Sequence, residues 1–174
     1  MNFELKTLGL DRAALEKYDA MVLLVGEDFK PAQDAVSSLV AQAIKAGDFE
    51  TKVGQLLSCY RPSDLGSVRL VMVGTGDGSA KSVRQAVLAA VAALKTGPAA
   101  KTLLLQFSTT PKPGSVRSGL TSIADASYAY TTTKSKPQPR KLQRVTIAAP
   151  DAARAKSEFE RARCVVLGVE LAKE

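Results

Sequence analysis

The chain contains no histidine. That removes Ser-His and Cys-His nucleophile pairs, zinc–histidine sites and ordinary imidazole acid–base work. Cysteine is scarce. The two present, Cys59 and Cys164, lie far apart in apolar stretches. Two thiols so separated do not make a Cys-rich metal site, and they predict two buried free thiols in a reducing compartment. No apolar run approaches the roughly 20 residues of a membrane helix. Met1-Asn2-Phe3-Glu4 lacks the basic-then-apolar order of a signal peptide. Clustered carboxylates are few. Glu27-Asp28 and Asp48-Phe49-Glu50 fall at turns or element ends without the multiple oxygen ligands of a calcium loop, so solvation or helix-terminus electrostatics is their expected role.

One further scarcity is local. Residues 78–150 hold a single acidic side chain, Asp125, against 11 basic ones. Residues 1–77 hold 8 basic and 11 acidic, and residues 151–174 hold 5 of each, so the whole excess of +7 comes from the middle block. Such a block can attract nucleic acid, face an acidic neighbouring domain or subunit, or simply solvate the fold.

What is present is a domain of ordinary size. With 174 residues, 45% hydrophobic content and mean hydropathy of -0.01, it can bury a substantial core and reads as soluble and globular. Phe3 to Leu8 alternates like a half-buried strand. Ala20 to Gly26 and Arg69 to Val73 are continuous apolar runs, as in strands buried on both faces. Gln55 to Tyr60, Thr102 to Phe107 and Arg144 to Ala148 complete the strands. Helices are predicted over Asp11 to Lys17, from Pro31 to a stop at Gly47, from a Ser79 cap to Gly97-Pro98, and over Leu120 to Tyr128. Pro111 to Ser118 and Lys134 to Lys141 read as loops. A last helix starts at Pro150-Asp151 and carries Ala155, Phe159, Ala162, Val166 and Val169 on one face. Its pattern runs on to Glu174 without a stop, which predicts a domain followed by more chain. Strands alternating with amphipathic helices predict a three-layer α/β domain over 1–174, with a mixed, largely parallel sheet.

Two local motifs could carry chemistry. Gly74-Thr75-Gly76-Asp77-Gly78-Ser79 sits between a strand and a helix, the right context for a phosphate cradle. A dinucleotide fingerprint would place its third glycine where Ser79 stands, with an acid about twenty positions on. Neither is there, nor is a P-loop ending, and Asp77 would repel a phosphate. A tight strand-to-helix turn is the better reading. The densest basic cluster is Lys134, Lys136, Arg140, Lys141 and Arg144, beside Tyr128 and Tyr130. Phosphate contacts with aromatic stacking would suit nucleic acid, and a solvated loop explains the same residues.

Several stretches resemble one family. Leu39 to Gly54, containing Gly47-Asp48-Phe49-Glu50-Thr51-Lys52-Val53-Gly54, resembles the helix and Gly-Asp-Phe-x-Gly-Lys-x-Gly segment of cytosolic leucyl aminopeptidases. Arg69 to Gly76 is similar to that family's valine-rich strand and Gly-x-Gly. Ala124 to Lys136 resembles its Tyr-x-Phe-x-x-Tyr-Lys-Ser-Lys segment, and Val169 to Glu174 the helix that leads into its catalytic domain. Thr51 replaces a usual glycine, and Tyr130 and Thr133 replace Phe and Tyr.

The resemblance implies a macro-domain-like N-terminal domain, attached to a two-metal exopeptidase that assembles as a hexamer in the cytoplasm. The two divalent ions, zinc or manganese, and every catalytic residue would lie in a C-terminal domain beyond these residues, so no catalytic or metal residue carries over. The N-terminal domain would serve assembly and access to the site, and some bacterial members also bind DNA. Two other classes of function stand beside this one: a nucleic-acid-binding module using the basic block, and an ADP-ribose binder of macro-domain type. No membrane partner is expected.

Overall fold

The alternation expected from the sequence closes into one sheet. A computed structural model describes residues 1–129 and 140–173. The strands are β1 (Asn2–Thr7), β2 (Ala20–Gly26), β3 (Leu56–Tyr60), β4 (Arg69–Gly76), β5 (Thr102–Phe107) and β6 (Arg144–Ala149). The helices are α1 (Leu10–Leu15), α2 (Ala35–Ala46), α3 (Ala80–Lys95), α4 (Ser115–Ser127) and α5 (Lys156–Lys173). The order across the sheet is β1-β6-β5-β2-β4-β3. Every neighbouring pair is parallel except β3 against β4, so the sheet is mixed and mostly parallel.

Side-chain alternation divides the core in two. On β2, Ala20, Val22 and Leu24 point toward α3, α4 and α5, while Met21, Leu23 and Val25 point toward α1 and α2. Helices on both faces leave no position of β2 or β4 exposed, which is why both read as unbroken apolar runs. Each large aliphatic side chain so buried contributes roughly 1.5–3 kcal/mol.

Several boundaries move from their expected places, each for a local reason. α2 begins at Ala35 instead of Pro31, because the Asp34 carboxylate accepts from the Ser37 backbone N–H (2.8 Å) and hydroxyl (2.6 Å). β4 runs on to Gly76 instead of ending at Val73. α4 begins at Ser115, inside the expected loop. Gly114 lies before it at φ +83° with no side-chain cap of its own. At the last helix, Asp151 does not cap. Its carboxylate pairs with Arg154 (3.0 Å), a short 3-10 turn occupies Ala153–Ala155, and α5 follows at Lys156. Phe159, Ala162 and Val166 are buried as expected, but Val169 is 40% exposed. The expectation of two buried thiols is also corrected. Both cysteines are free, yet Cys164 is exposed on α5, and only Cys59 is partly covered, its thiol pKa pushed up by burial.

Candidate functional site

In an open α/β sheet, ligands favour the crevice beyond the C-terminal ends of the parallel strands. Here that rim contains Gly26, Thr75, Asp77, Ser108 and Thr109. Three helix N-termini lie in the same half of the fold, where unpaired N–H groups could hold an anion. All three are already engaged by the protein's own side chains. Asp34 closes α2. At α3 the Ser79 Oγ caps, accepting from the Ser82 N–H (3.3 Å), and Asp77 braces that cap by accepting from the Ser79 N–H (3.0 Å) and the Ser82 hydroxyl (2.6 Å). Those donors, the Ser82 hydroxyl first and then the Ser79 N–H, hold its carboxyl at a pKa of about 2, with Lys112 adding its charge. Glu158 reaches from α5 to close α4, accepting from the Gly114 N–H (3.0 Å) and the Arg117 N–H (2.6 Å). The cavity left at the rim is about 20 Å³, the room of a single water molecule.

The glycines of the Gly74-Thr75-Gly76 segment answer to the protein's own backbone. The Gly76 N–H donates to Thr51 O (2.8 Å), the Gly74 N–H to Gln55 O (2.9 Å), and the Gly54 N–H to Gly74 O (3.0 Å). A Cβ on Gly74 would run into the Lys52 carbonyl oxygen. The close approach that such glycines permit is therefore used by residues 51–55, where a dinucleotide site would bring a pyrophosphate.

The predicted basic cluster meets a different corner, at the opposite end of the strands. Lys134, Lys136 and Tyr130 lie outside the described residues. Arg140 is turned inward. Its Nε donates to Ser127 O (3.0 Å) and its Nη2 to Ala124 O (3.1 Å), closing the C-terminus of α4. Nη2 also lies 2.6 Å from Glu170 Oε1 on α5, with the two side chains only 15% and 22% exposed. The Tyr128 ring lies under Arg140 (5.8 Å) and Lys173 (4.8 Å), and its hydroxyl donates to Lys173 O (3.1 Å). That tyrosine is engaged within the domain. Lys141 and Arg144 are exposed and make no ion pair among the described residues.

Two exposed lysines absent from the sequence-level cluster join this corner. Lys95 of α3 shares with Lys141 a groove of about 280 Å³ floored by Val91, Leu94 and Leu103. Lys101 O accepts from the Arg144 N–H (3.1 Å). No local pattern could have grouped them, because parallel connections bring the end of α3 and the start of β6 together from distant parts of the chain. Among the described residues, no group of three His, Cys, Asp or Glu could hold a metal ion.

Comparison with known proteins agrees with this architecture. The profile of the cytosol aminopeptidase family, N-terminal domain, matches residues 22–137. A probable cytosol aminopeptidase of Albidiferax ferrireducens is 48% identical over 174 residues, covering 100% of this chain and 36% of that protein. One from Acidovorax ebreus is 45% identical, covering 100% and 35%. The chain thus spans about a third of the length of the curated relatives it matches. A mutant tomato leucine aminopeptidase has the same fold, with a TM-score of 0.72 at 18% identity over 98% of this chain and 37% of that one.

Proposed function

This chain belongs to the cytosol aminopeptidase family as its N-terminal domain, and from that premise we propose that it is the non-catalytic domain of a leucyl aminopeptidase. In this reading it serves oligomer assembly and access to the active site, in a hexameric cytoplasmic enzyme. The parent enzyme removes N-terminal residues from peptides by two-metal hydrolysis. Its zinc or manganese ions and catalytic groups belong to a following domain, the remaining two-thirds of the length seen in the relatives.

The observation that carries the reading is full-length coverage of this chain by relatives of which it makes up about a third. The chemistry of its side chains supports it. The sequence has no histidine, and no cluster of three ligand-type residues occurs among those described. These donors do not fit a two-metal centre, so no step of hydrolysis is assigned to them. The test is incubation of the purified chain with leucine p-nitroanilide and Mn²⁺ or Zn²⁺. No turnover is expected, and metal-dependent turnover that tracks the purified chain would overturn the assignment.

A second reading, a nucleic-acid-binding role for the 78–150 block, draws on the exposed Lys95, Lys101, Lys141 and Arg144. Lys134, Lys136 and Arg140 complete the sequence-level set. Binding through phosphates would weaken steeply with salt and show little sequence preference. Mobility-shift titration of two unrelated duplexes at low salt tests it, and no shift of either duplex removes it. An ADP-ribose-type role has less support, because the rim's helix N-termini are engaged by Asp34, by Ser79 braced by Asp77, and by Glu158. Calorimetric titration with ADP-ribose should show no heat of binding.

A further inference from the structure

The first strand leaves one side of its backbone unpaired. At its two ends, the Asn2 N–H donates to Gln143 O and the Leu8 N–H to Ala149 O, each at 2.9 Å. In a parallel ladder, alternate residues bond to alternate neighbours. Asn2, Glu4 and Lys6 therefore bond to β6 in the observed register, and the N–H and C=O groups of Phe3, Leu5 and Thr7 point away from it. β1 is the outermost strand, so among the described residues no other strand meets them. Three donors and three acceptors are left in a row, repeating every two residues, roughly 6.6 Å.

This edge forms one wall of a groove of about 510 Å³. The opposite wall is the 3-10 turn and α5, through Ala152, Lys156, Phe159, Glu160 and Arg163. Phe3 and Leu5 turn their side chains to the same apolar cluster as Phe159. Glu160 is paired with Arg163 (2.8 Å), whereas Lys156 is exposed and has no ion pair among the described residues. The wall therefore carries a net positive charge. A backbone row, an apolar floor and an unpaired cation facing one another across a groove are the components of recognition by strand addition.

We propose that the groove between β1 and α5 binds an extended peptide segment that adds to the sheet beside β1, with apolar side chains over Phe3, Leu5 and Phe159 and an acidic side chain toward Lys156. Backbone bonds to Phe3, Leu5 and Thr7 supply the affinity, and the floor and Lys156 supply the preference. The inference goes beyond the aminopeptidase reading and does not depend on it.

The probe is a capped heptapeptide, acetyl-Val-Thr-Val-Thr-Asp-Thr-Val-amide, whose strand form puts three valines and the acid on one face. Amide exchange on the labelled chain is followed by NMR as peptide is added. At millimolar peptide, the Phe3, Leu5 and Thr7 amides should exchange at least about tenfold more slowly, as expected for bonded strand amides. Thr7→Pro deletes one outward donor while leaving the bonds to β6 intact, and should weaken binding roughly fivefold. Lys156→Glu should weaken it roughly threefold, and the effect should fade in salt. The fully N-methylated peptide, which has no backbone donor, should not protect these amides. Unchanged exchange of the three wild-type amides at millimolar peptide would overturn the proposal, whatever the variants do. Equal protection by the N-methylated peptide would overturn it as well.

Discussion

Carboxylates serve three helix N-termini in this domain and arginines two helix C-termini, and the two sets come from different distances. Asp34 caps α2 and Asp77 braces the Ser79 cap of α3, each within a few residues of the helix start and near solvent. Arg69 and Arg140 reach the ends of α3 and α4 from other elements. Arg69 donates to Ala93 O (2.9 Å), lies under the Tyr60 ring at 4.9 Å, and is only 6% exposed. Glu158 belongs with the arginines in its reach and with the aspartates in its chemistry. The difference teaches that formal charge overstates available charge. Side chains at the N-termini use up donors an anionic ligand would need, and Arg140, turned inward, removes a cation from the surface the 78–150 block seems to offer.

Four substitutions would break or sharpen this contrast. Arg69→Ala should cost most, about 2–4 kcal/mol, because Leu94 O loses its side-chain donor, Ala93 O keeps only those of Thr96, and a nearly fully buried side chain is removed from beneath Tyr60. Denaturant unfolding measures it, and a loss below about 1 kcal/mol would show that buried and exposed closures are equivalent. Arg140→Ala should follow at about 1.5–3 kcal/mol, leaving Glu170 without its partner. Its signature is faster amide exchange in the last turns of α4 and α5 and not in β2. Glu158→Gln should cost about 1 kcal/mol, since the amide oxygen still accepts while the charge at the α4 N-terminus is lost. Thermal unfolding would detect it, and no change would place the cap's value in geometry alone.

The smallest effect should come from Asp77→Asn, and it should depend on pH. The folded carboxyl has a pKa of about 2, below the ordinary 3.8. The stabilisation from Asp77 is therefore fully present above about pH 4 and is lost as the pH falls through about 2. Wild type should lose stability across that window faster than Asp77→Asn. Parallel slopes in acid titrations of unfolding would refute the coupling.

The near closures were legible in the sequence and the distant ones were not. Ser79 is a cap acceptor beside a helical pattern, and its Oγ accepts from the Ser82 N–H at 3.3 Å. Ala20–Gly26 and Thr102–Phe107 are apolar runs of strand length, and the structure keeps them as β2 and β5. Local pattern ends β4 at Val73 because Gly74 and Gly76 resemble a turn. The ladder continues through them because residues 51–55 pack on glycine backbone, a long-range contact that no local pattern reports. The start of α4 has no local signal for a related reason, since the carboxylate that closes it is Glu158 of α5. Of the basic cluster, sequence spacing could mark Arg140 as charged but could not show that its guanidinium closes α4.

The pairing of β1 with β6 also orders events in time. Asn2 faces Arg144, and Thr7 faces Ala149. Of the strands described, β1 is made first and is among the last to find its neighbour. At roughly 5–20 residues per second, the wait is on the order of ten seconds. Throughout that interval Phe3 and Leu5 have neither β6 beside them nor α5 above them, while β2, β3 and β4 can already pair. The middle of the domain can therefore pair before this edge, and β1 is the strand that waits longest for its neighbour.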